Sequence, residues 1–221
     1  IPEGEQAKFD ALPPEYSQLY LAIEGVLSAV ICISDPLREE AKDVLSALRG
    51  LGVKNAVMLT GDSPRTAAAI AAQLGVDDFQ AGVLPADKAD YVAALRREGH
   101  TVLMVGDGIN DSPALSEADA GIAISDGAAI AREIADITIA ADSLWELVRL
   151  RQLAMALMHR IQNNYRFVIG FNGVLIGLGV AGILPPATSA MLHNLSTLGV
   201  SLHSMSALPV AGRETKVVKD L

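Results

Sequence analysis

Three short segments of this chain combine oxygen-bearing side chains, glycine and the start of a helix, which is the chemistry a phosphate or a magnesium ion would need. The first is Leu59-Thr60-Gly61-Asp62, an apolar run ending in a hydroxyl, a glycine and a carboxylate. A hydroxyl beside a glycine at a helix N-terminus suits a phosphoryl group, because the backbone can approach closely and the helix end is electropositive. Thr-Gly-Asp is also ordinary turn chemistry, so the segment alone decides little. The second is Val105-Gly106-Asp107-Gly108-Ile109-Asn110-Asp111-Ser112-Pro113-Ala114-Leu115. Two carboxylates four residues apart, separated by glycine and Asn, offer hard oxygen ligands with positions left open. That arrangement suits Mg²⁺, which binds through one or two carboxylates and keeps waters for a phosphate. An N-cap role would account for Asp111, but not for Asp107 and the paired glycines. The third is Lys88 in Leu84-Pro85-Ala86-Asp87-Lys88. A lysine opening a helix opposes the helix dipole, and a point charge on a phosphate is one use that would favour it there.

The elements that must hold these loops are legible as alternating apolar runs and amphipathic stretches. Strands are expected at Leu27–Ile33, Ala56–Leu59, Thr101–Val105, Gly121–Ile124 and Ile137–Ile139. Helices are expected at Pro36–Arg49, Pro64–Leu74, Lys88–Arg97, Ser112–Ala118 and Ala128–Ala135. Apolar runs separated by helices imply a parallel, doubly wound α/β sheet with right-handed crossovers, whose ligands bind at the C-terminal ends of the strands. Asp35-Pro36 and Asp62-Ser63-Pro64 read as N-caps followed by a proline in the first turn. Before these elements, Tyr20–Ile23 and Val26-Leu27 suggest a hairpin turning at Glu24-Gly25.

Composition divides the chain. Residues 1–146 hold 10 Lys/Arg against 24 Asp/Glu, whereas residues 147–221 hold 7 against 2, within an overall net charge of −9. The acidic part argues against a nucleic-acid surface, which needs a basic stripe. In the second part Tyr165–Leu184 has a single charge, Arg166, and 20 residues at helical rise match a bilayer core of about 30 Å. Pro185-Pro186 interrupts, and Ala187–Leu208 forms a second, more polar stretch. Arg149, Arg151, Arg160 and Arg166 precede the pair, and Arg213, Lys216 and Lys219 follow it. The turn carries no charge, so the positive-inside rule favours a membrane hairpin with both ends cytoplasmic. The lone Cys32 sits in an apolar run and reads as inert. Ile1 is neither an initiator Met nor part of a signal peptide, which suggests a chain cut from something longer.

Taken together, Thr60-Gly61-Asp62 and Gly106-Asp107-Gly108-Ile109-Asn110-Asp111-Ser112-Pro113-Ala114-Leu115 resemble the motifs of the haloacid-dehalogenase-like phosphoryl-transfer fold, and specifically the P-type ATPases. Asp35-Pro36-Leu37-Arg38 is similar to the segment where the family's chain re-enters its phosphorylation domain. The resemblance covers roughly residues 20–210. It implies that Thr60 and Gly61 hold phosphoryl oxygens, Lys88 neutralises them, and Asp107 ligates Mg²⁺. Asn110 and Asp111 would orient the phosphate and the metal's waters, with Asp62 facing the nucleotide or the hinge. ATP would be held mainly by a nucleotide-binding domain of which residues 1–26 are the end. Residues 27–142 would be the later part of the phosphorylation domain, 143–164 a connecting helix, 165–208 the transmembrane hairpin and 209–221 a cytoplasmic tail.

The family's phosphorylated aspartate lies in Asp-Lys-Thr-Gly-Thr, a string missing here, so it would precede Ile1 and these 221 residues alone should be inactive. Two spans after the phosphorylation domain resemble the heavy-metal-transporting branch. In the last span His193, Asn194, Thr197 and Ser201 recur at helical spacing, share a face and are candidate ligands for the transported cation, with Asn172 on the preceding span. Interhelical hydrogen bonding explains the polar residues Asn194, Ser196 and Thr197 as well. The function implied is part of an ATP-driven heavy-metal exporter in a multi-pass cell-membrane protein, whose partners are the cation, the bilayer and the remainder of the pump. Two alternatives remain. One is a truncated, membrane-anchored regulatory fragment docking on an intact pump. The other is a free-standing phosphatase, which would need an Asp-x-Asp-x-Thr string that the sequence lacks.

Overall fold

In the computed structural model, residues 9–24, 26–34, 36–106, 109–124, 134–139 and 143–208 are described. They form two compact units, Ile1–Leu147 and Val148–Leu221.

The first unit opens with a hairpin. Strand β1 (Ser17–Ile23) pairs antiparallel with β2 (Val26–Ile33), with Ile23 opposite Val26 and an irregularity at Leu21/Ala22. The expected turn near Glu24 is therefore present, and Glu24 adopts the left-handed conformation, φ 50°, that a tight reversal requires. The expectation that Leu27–Ile33 joins a parallel sheet is corrected: its only partner among the described residues is β1. Apolar content alone could not distinguish a hairpin arm from a buried parallel strand.

Helix α1 (Ala41–Gly50) follows, then β3 (Val57–Leu59), α2 (Pro64–Leu74), β4 (Asp78–Gln80) and α3 (Pro85–Arg97). The helix expected from Pro36 begins five residues later, with Glu40 at its N-cap; Asp35 lies outside the described residues. Helix α2 starts where expected. Ser63 is its cap, accepting from the Thr66 N–H at 3.2 Å, and Pro64 occupies the first turn. Gly75, at φ 69°, ends α2 in the left-handed conformation that favours glycine. Strand β4 was not foreseen. Its three residues, Asp-Phe-Gln, carry no apolar run, and pairing parallel to β3 defines it.

Strand β5 (Leu103–Gly106) leads through a 3₁₀ turn (Ile109–Asp111) into α4 (Ser112–Glu117), then β6 (Ala120–Ile124) and β7 (Ile137–Ile139). These strands pair parallel in the order β5-β6-β7. The helix expected at Ala128–Ala135 falls almost wholly outside the described residues. The parallel strands thus form two groups, β3–β4 and β5–β6–β7, rather than one hydrogen-bonded sheet. Leu115, Ile122 and Val92 are the largest fully buried side chains. Gly121 permits the packing of α4 on β6, since a Cβ there would lie 2.5 Å from the Leu115 carbonyl oxygen. Charged side chains tie the layers at the rim. Arg96 reaches Asp119 (3.1 Å) and the Glu117 carbonyl (2.6 Å), and Arg49 reaches Asp77 (3.0 Å).

The long helix α5 (Trp145–Val180) starts in the first unit and continues into the second, where α6 (Pro186–Ser204) follows. The connecting helix and the first apolar stretch are therefore one continuous element. Among the described residues no helix is long and apolar enough to cross a membrane. The apolar stretch expected to run to Leu184 is cut short, because α5 stops at Val180. Gly182, at φ 72°, turns the chain, with the Ile183 and Leu184 N–H groups both returning to the Leu178 carbonyl. At the other end of the pair, Arg160 donates to the carbonyls of Ser206 (2.5 Å) and Ala207 (2.9 Å) and more weakly to Ser204 (3.4 Å), while Asn164 donates to Ser204 Oγ (2.9 Å). The guanidinium thus fastens the segment just after α6 to α5 through that segment's carbonyls.

Candidate active site

The loop after β5 and the start of α3 meet in one ion pair. Lys88 Nζ donates to Asp111 Oδ1 at 2.7 Å, and the two side chains are only 15% and 11% exposed. Asp111 occupies the N-cap position of α4, but its carboxylate makes no bond to that helix. It is directed to the lysine instead. Gly106 makes this possible: a Cβ at that position would lie 2.7 Å from Asp111 Cβ and 2.8 Å from Oδ2. The glycine at the end of β5 is therefore a packing requirement for placing a carboxylate over the strand end.

Local chemistry also accounts for Lys88 one turn into α3. Asp87 accepts from the Leu84 N–H at 3.2 Å and puts a negative charge in the first turn, while Pro85 needs no partner for its nitrogen. With Asp111 close by, the lysine's opposition to the helix dipole is offset by an ion pair shielded from water. Ser112, next to Asp111, is buried, and its Oγ has no hydrogen-bond partner. An orphaned hydroxyl at this corner leaves an oxygen donor available. Asn110 is exposed beside it, and Asp107 and Gly108 lie outside the described residues.

The loop after β3 is organised around Thr60. Its hydroxyl donates to Asp62 Oδ2 (2.7 Å) and accepts from the Asp62 N–H (3.1 Å). Ser17 Oγ, at the start of β1, approaches Asp62 Oδ1 at 3.4 Å. Asp62 is thus directed to the hairpin side of its loop. Backbone bonds from Gly82 to Asp62 O (2.9 Å) and from Val83 to Thr60 O (3.0 Å) clamp this loop to the one that leads into α3. Thr60 and Lys88 are accordingly carried on adjoining loops. Gly61 has only the Val83 carbonyl oxygen near a built Cβ, at 3.8 Å, so nothing inside the protein requires glycine there. A close approach from outside would.

In the second unit, His193 Nδ1 and Asn172 Oδ1 are 2.8 Å apart, so α5 and α6 are joined at that level. The imidazole and the amide thus meet edge to edge, one nitrogen of the ring being committed to Asn172. Thr197 and Ser196 donate to the His193 carbonyl (3.0 and 2.8 Å), and Ser201 to the Thr197 carbonyl (2.9 Å). These hydroxyl protons are spent within α6 itself. Asn194 is exposed. Among the described residues no group of three or more His, Cys, Asp or Glu side chains comes together as a metal site. Two residues that sequence reasoning passed over are Ser112 and Glu40. Glu40 carries a carboxylate held below its ordinary range by its own backbone N–H and that of Leu144.

The haloacid dehalogenase-like hydrolase family matches residues 4–119. The chain belongs to that family. Its curated relatives include a zinc-exporting P-type ATPase of Mycobacterium marinum (strain ATCC BAA-535 / M), 41% identical over 91% of this chain and 29% of the relative. A manganese-exporting P-type ATPase of Mycobacterium leprae (strain TN) is 43% identical over 84% of this chain and 26% of its own length. Copper-transporting ATPase 1 of Rhizobium meliloti (strain 1021) is 40% identical over 91% and 24%. Among solved structures, a zinc-transporting PIB-type ATPase in its E2·Pi state superposes with a TM-score of 0.78 at 33% identity, over 92% of this chain and 34% of the other. The chain spans 24–34% of the length of these proteins. By name these are ATPases that export or transport zinc, manganese or copper, and the match to the zinc transporter is wide enough to include most of the second unit.

Proposed function

We propose that this chain is the C-terminal part of an ATP-driven heavy-metal cation exporter. The single observation that carries the reading is the Lys88–Asp111 pair, shielded from water and seated over Gly106 at the end of a parallel strand. Such a corner places positive charge and fixed oxygen atoms where a phosphoryl group would sit in this fold. Thr60 and Gly61 bind phosphoryl oxygens, Lys88 compensates their charge, and Asp111 and Asn110 orient the group. Asp107 and Asp111 hold Mg²⁺, which neutralises charge on the transferring phosphoryl when bound. The donor set fits that ion, because Asp111 Oδ2 and the orphaned Ser112 Oγ are hard oxygens; Asp111 Oδ1 is committed to Lys88.

The nucleophilic aspartate and most of the ATP-binding surface belong to polypeptide upstream, so residues 1–221 alone form no acyl-phosphate. Residues 1–26 end the nucleotide-binding domain and 27–142 complete the phosphorylation domain. A strand from the upstream portion would join the β3–β4 and β5–β6–β7 groups, since the second edges of β3 and β5 pair with no described strand.

Residues 143–164 connect to a membrane hairpin at 165–208, with the α/β unit and the tail at 209–221 cytoplasmic. Apolar side chains exposed along both helices support this, among them Phe167, Ile169, Val174, Ile176, Leu195 and Leu198. So does the basic flank. Within the hairpin His193 is the leading ligand for the transported cation, its ring held by Asn172 through Nδ1. Asn194, Thr197 and Ser201 contribute oxygen. Asp107→Ala in the intact polypeptide should abolish Mg²⁺-dependent acyl-phosphate formation, assayed with radiolabelled ATP. Undiminished acyl-phosphate would defeat the assignment.

A further inference from the structure

The start of α5 is fastened to the start of α1. Leu144, the residue before the first helical turn of α5, donates its N–H to Glu40 Oε1 at 3.3 Å, across 104 residues of sequence. Glu40 is also the N-cap residue of α1, where its carbonyl accepts from Val44 at 2.9 Å and its side chain makes no bond to that helix. In a capping box the N-cap N–H is met by a carboxylate three residues along the same helix. Here the third residue of α5 is Leu147, which has no acceptor, and Glu40 supplies the carboxylate from another segment. The remaining first-turn donors of α5 are met locally. Trp145 donates to Ser143 Oγ (3.3 Å), Glu146 to the Ser143 carbonyl (3.4 Å) and Leu147 to the Leu144 carbonyl (3.0 Å). Of the N–H groups of residues 144–147, that of Leu144 is the one met from another segment among the described residues. A negative charge at a helix N-terminus is also favourable in its own right.

We propose that Glu40 is a positioning residue that makes the heads of α1 and α5 move as one body, so that a shift of the α/β unit is delivered to the long helix. This rests on reading α5 as the element that carries motion toward the membrane pair, and it deepens that reading by naming the attachment point.

Two measurements separate the attachment from the transport reading. In the 221-residue chain, Glu40→Ala should speed amide exchange at residues 144–146 about fivefold, the size of a lost cap. Glu40→Gln, whose amide oxygen still accepts, should stay within about twofold of the parent. Unchanged exchange in Glu40→Ala overturns the attachment, whatever the protein transports. In the intact polypeptide, Glu40→Ala should form acyl-phosphate normally while losing most metal-stimulated phosphate release, and Glu40→Gln should restore it. Ser143→Ala loosens the head of α5 without untying it from α1, and should leave metal stimulation near the parent level. Equal loss in Ser143→Ala and Glu40→Ala reduces Glu40 to an ordinary helix cap and overturns the proposal. An intact parent without metal-stimulated hydrolysis would instead remove the transport reading, and the exchange result would stand alone.

Discussion

The two units differ in what their most closely packed glycines and their polar side chains meet. In the first, Gly106 and Gly121 are pressed against Asp111 and the Leu115 backbone, and polar groups reach partners distant in sequence, as Lys88 does 23 residues away. In the second, Gly170, Gly173, Gly177 and Gly199 have nothing within 4 Å of a built Cβ, and most hydroxyls return to carbonyls of their own helix. The first unit is specified by tertiary contact. The second is a pair of helices whose hydroxyls are largely satisfied from within.

The sharpest way to break that comparison is glycine replacement. Gly121→Ala should destabilise the first unit by about 3 kcal/mol, because the obstructing atoms are backbone and cannot rotate away. Gly177→Ala in the isolated chain should instead stabilise α5 by roughly 0.5–1 kcal/mol, since the helix gains propensity and meets no neighbour. Denaturant titration of each variant checks the opposite signs, and a loss at Gly177 as large as at Gly121 would end the distinction.

Next comes the ion pair. Lys88→Met should cost about 2 kcal/mol, mostly from leaving Asp111 shielded and unpaired, and Asp111→Asn added to it should recover part of that loss. Strictly additive losses in the double-mutant cycle would show that the two do not act on each other.

Smaller again is Thr197→Val in α6, expected to change stability by no more than about 0.5 kcal/mol because the hydroxyl proton goes to a carbonyl of its own helix. The smallest effect concerns acid. Asp77 is held below its ordinary value of 3.8 by the Ala56 N–H and then by Arg49. A lowered carboxylate contributes stability that is whole above that value and fades as pH falls through the depressed one. Asp77→Asn should therefore flatten the stability profile slightly below pH 4 and leave the slope above pH 5 unaltered.

What could be read in advance follows the same division. The loops carrying Thr60 and Asp111 were legible because glycine, carboxylate and helix start fall together in the string, and the structure pairs Lys88 with Asp111. Strand β4 was not legible, since Asp-Phe-Gln owes its state to lying beside β3. The role of Leu27–Ile33 was misread because an apolar run does not declare the direction of its partner. Glu40 was invisible for a related reason: its acceptor role depends on a backbone N–H a hundred residues later, and no local spacing encodes that. In α6 the polar stripe was plain. The direction of each hydroxyl, toward its own carbonyls, was set by rotamer and backbone rather than by pattern.

The bend between α5 and α6 has a consequence of its own. Every N–H from Ala181 to Leu184 is donated to a carbonyl at the end of α5, the two residues that follow are prolines with none to offer, and no side chain there is charged. A reversal built this way asks little of water.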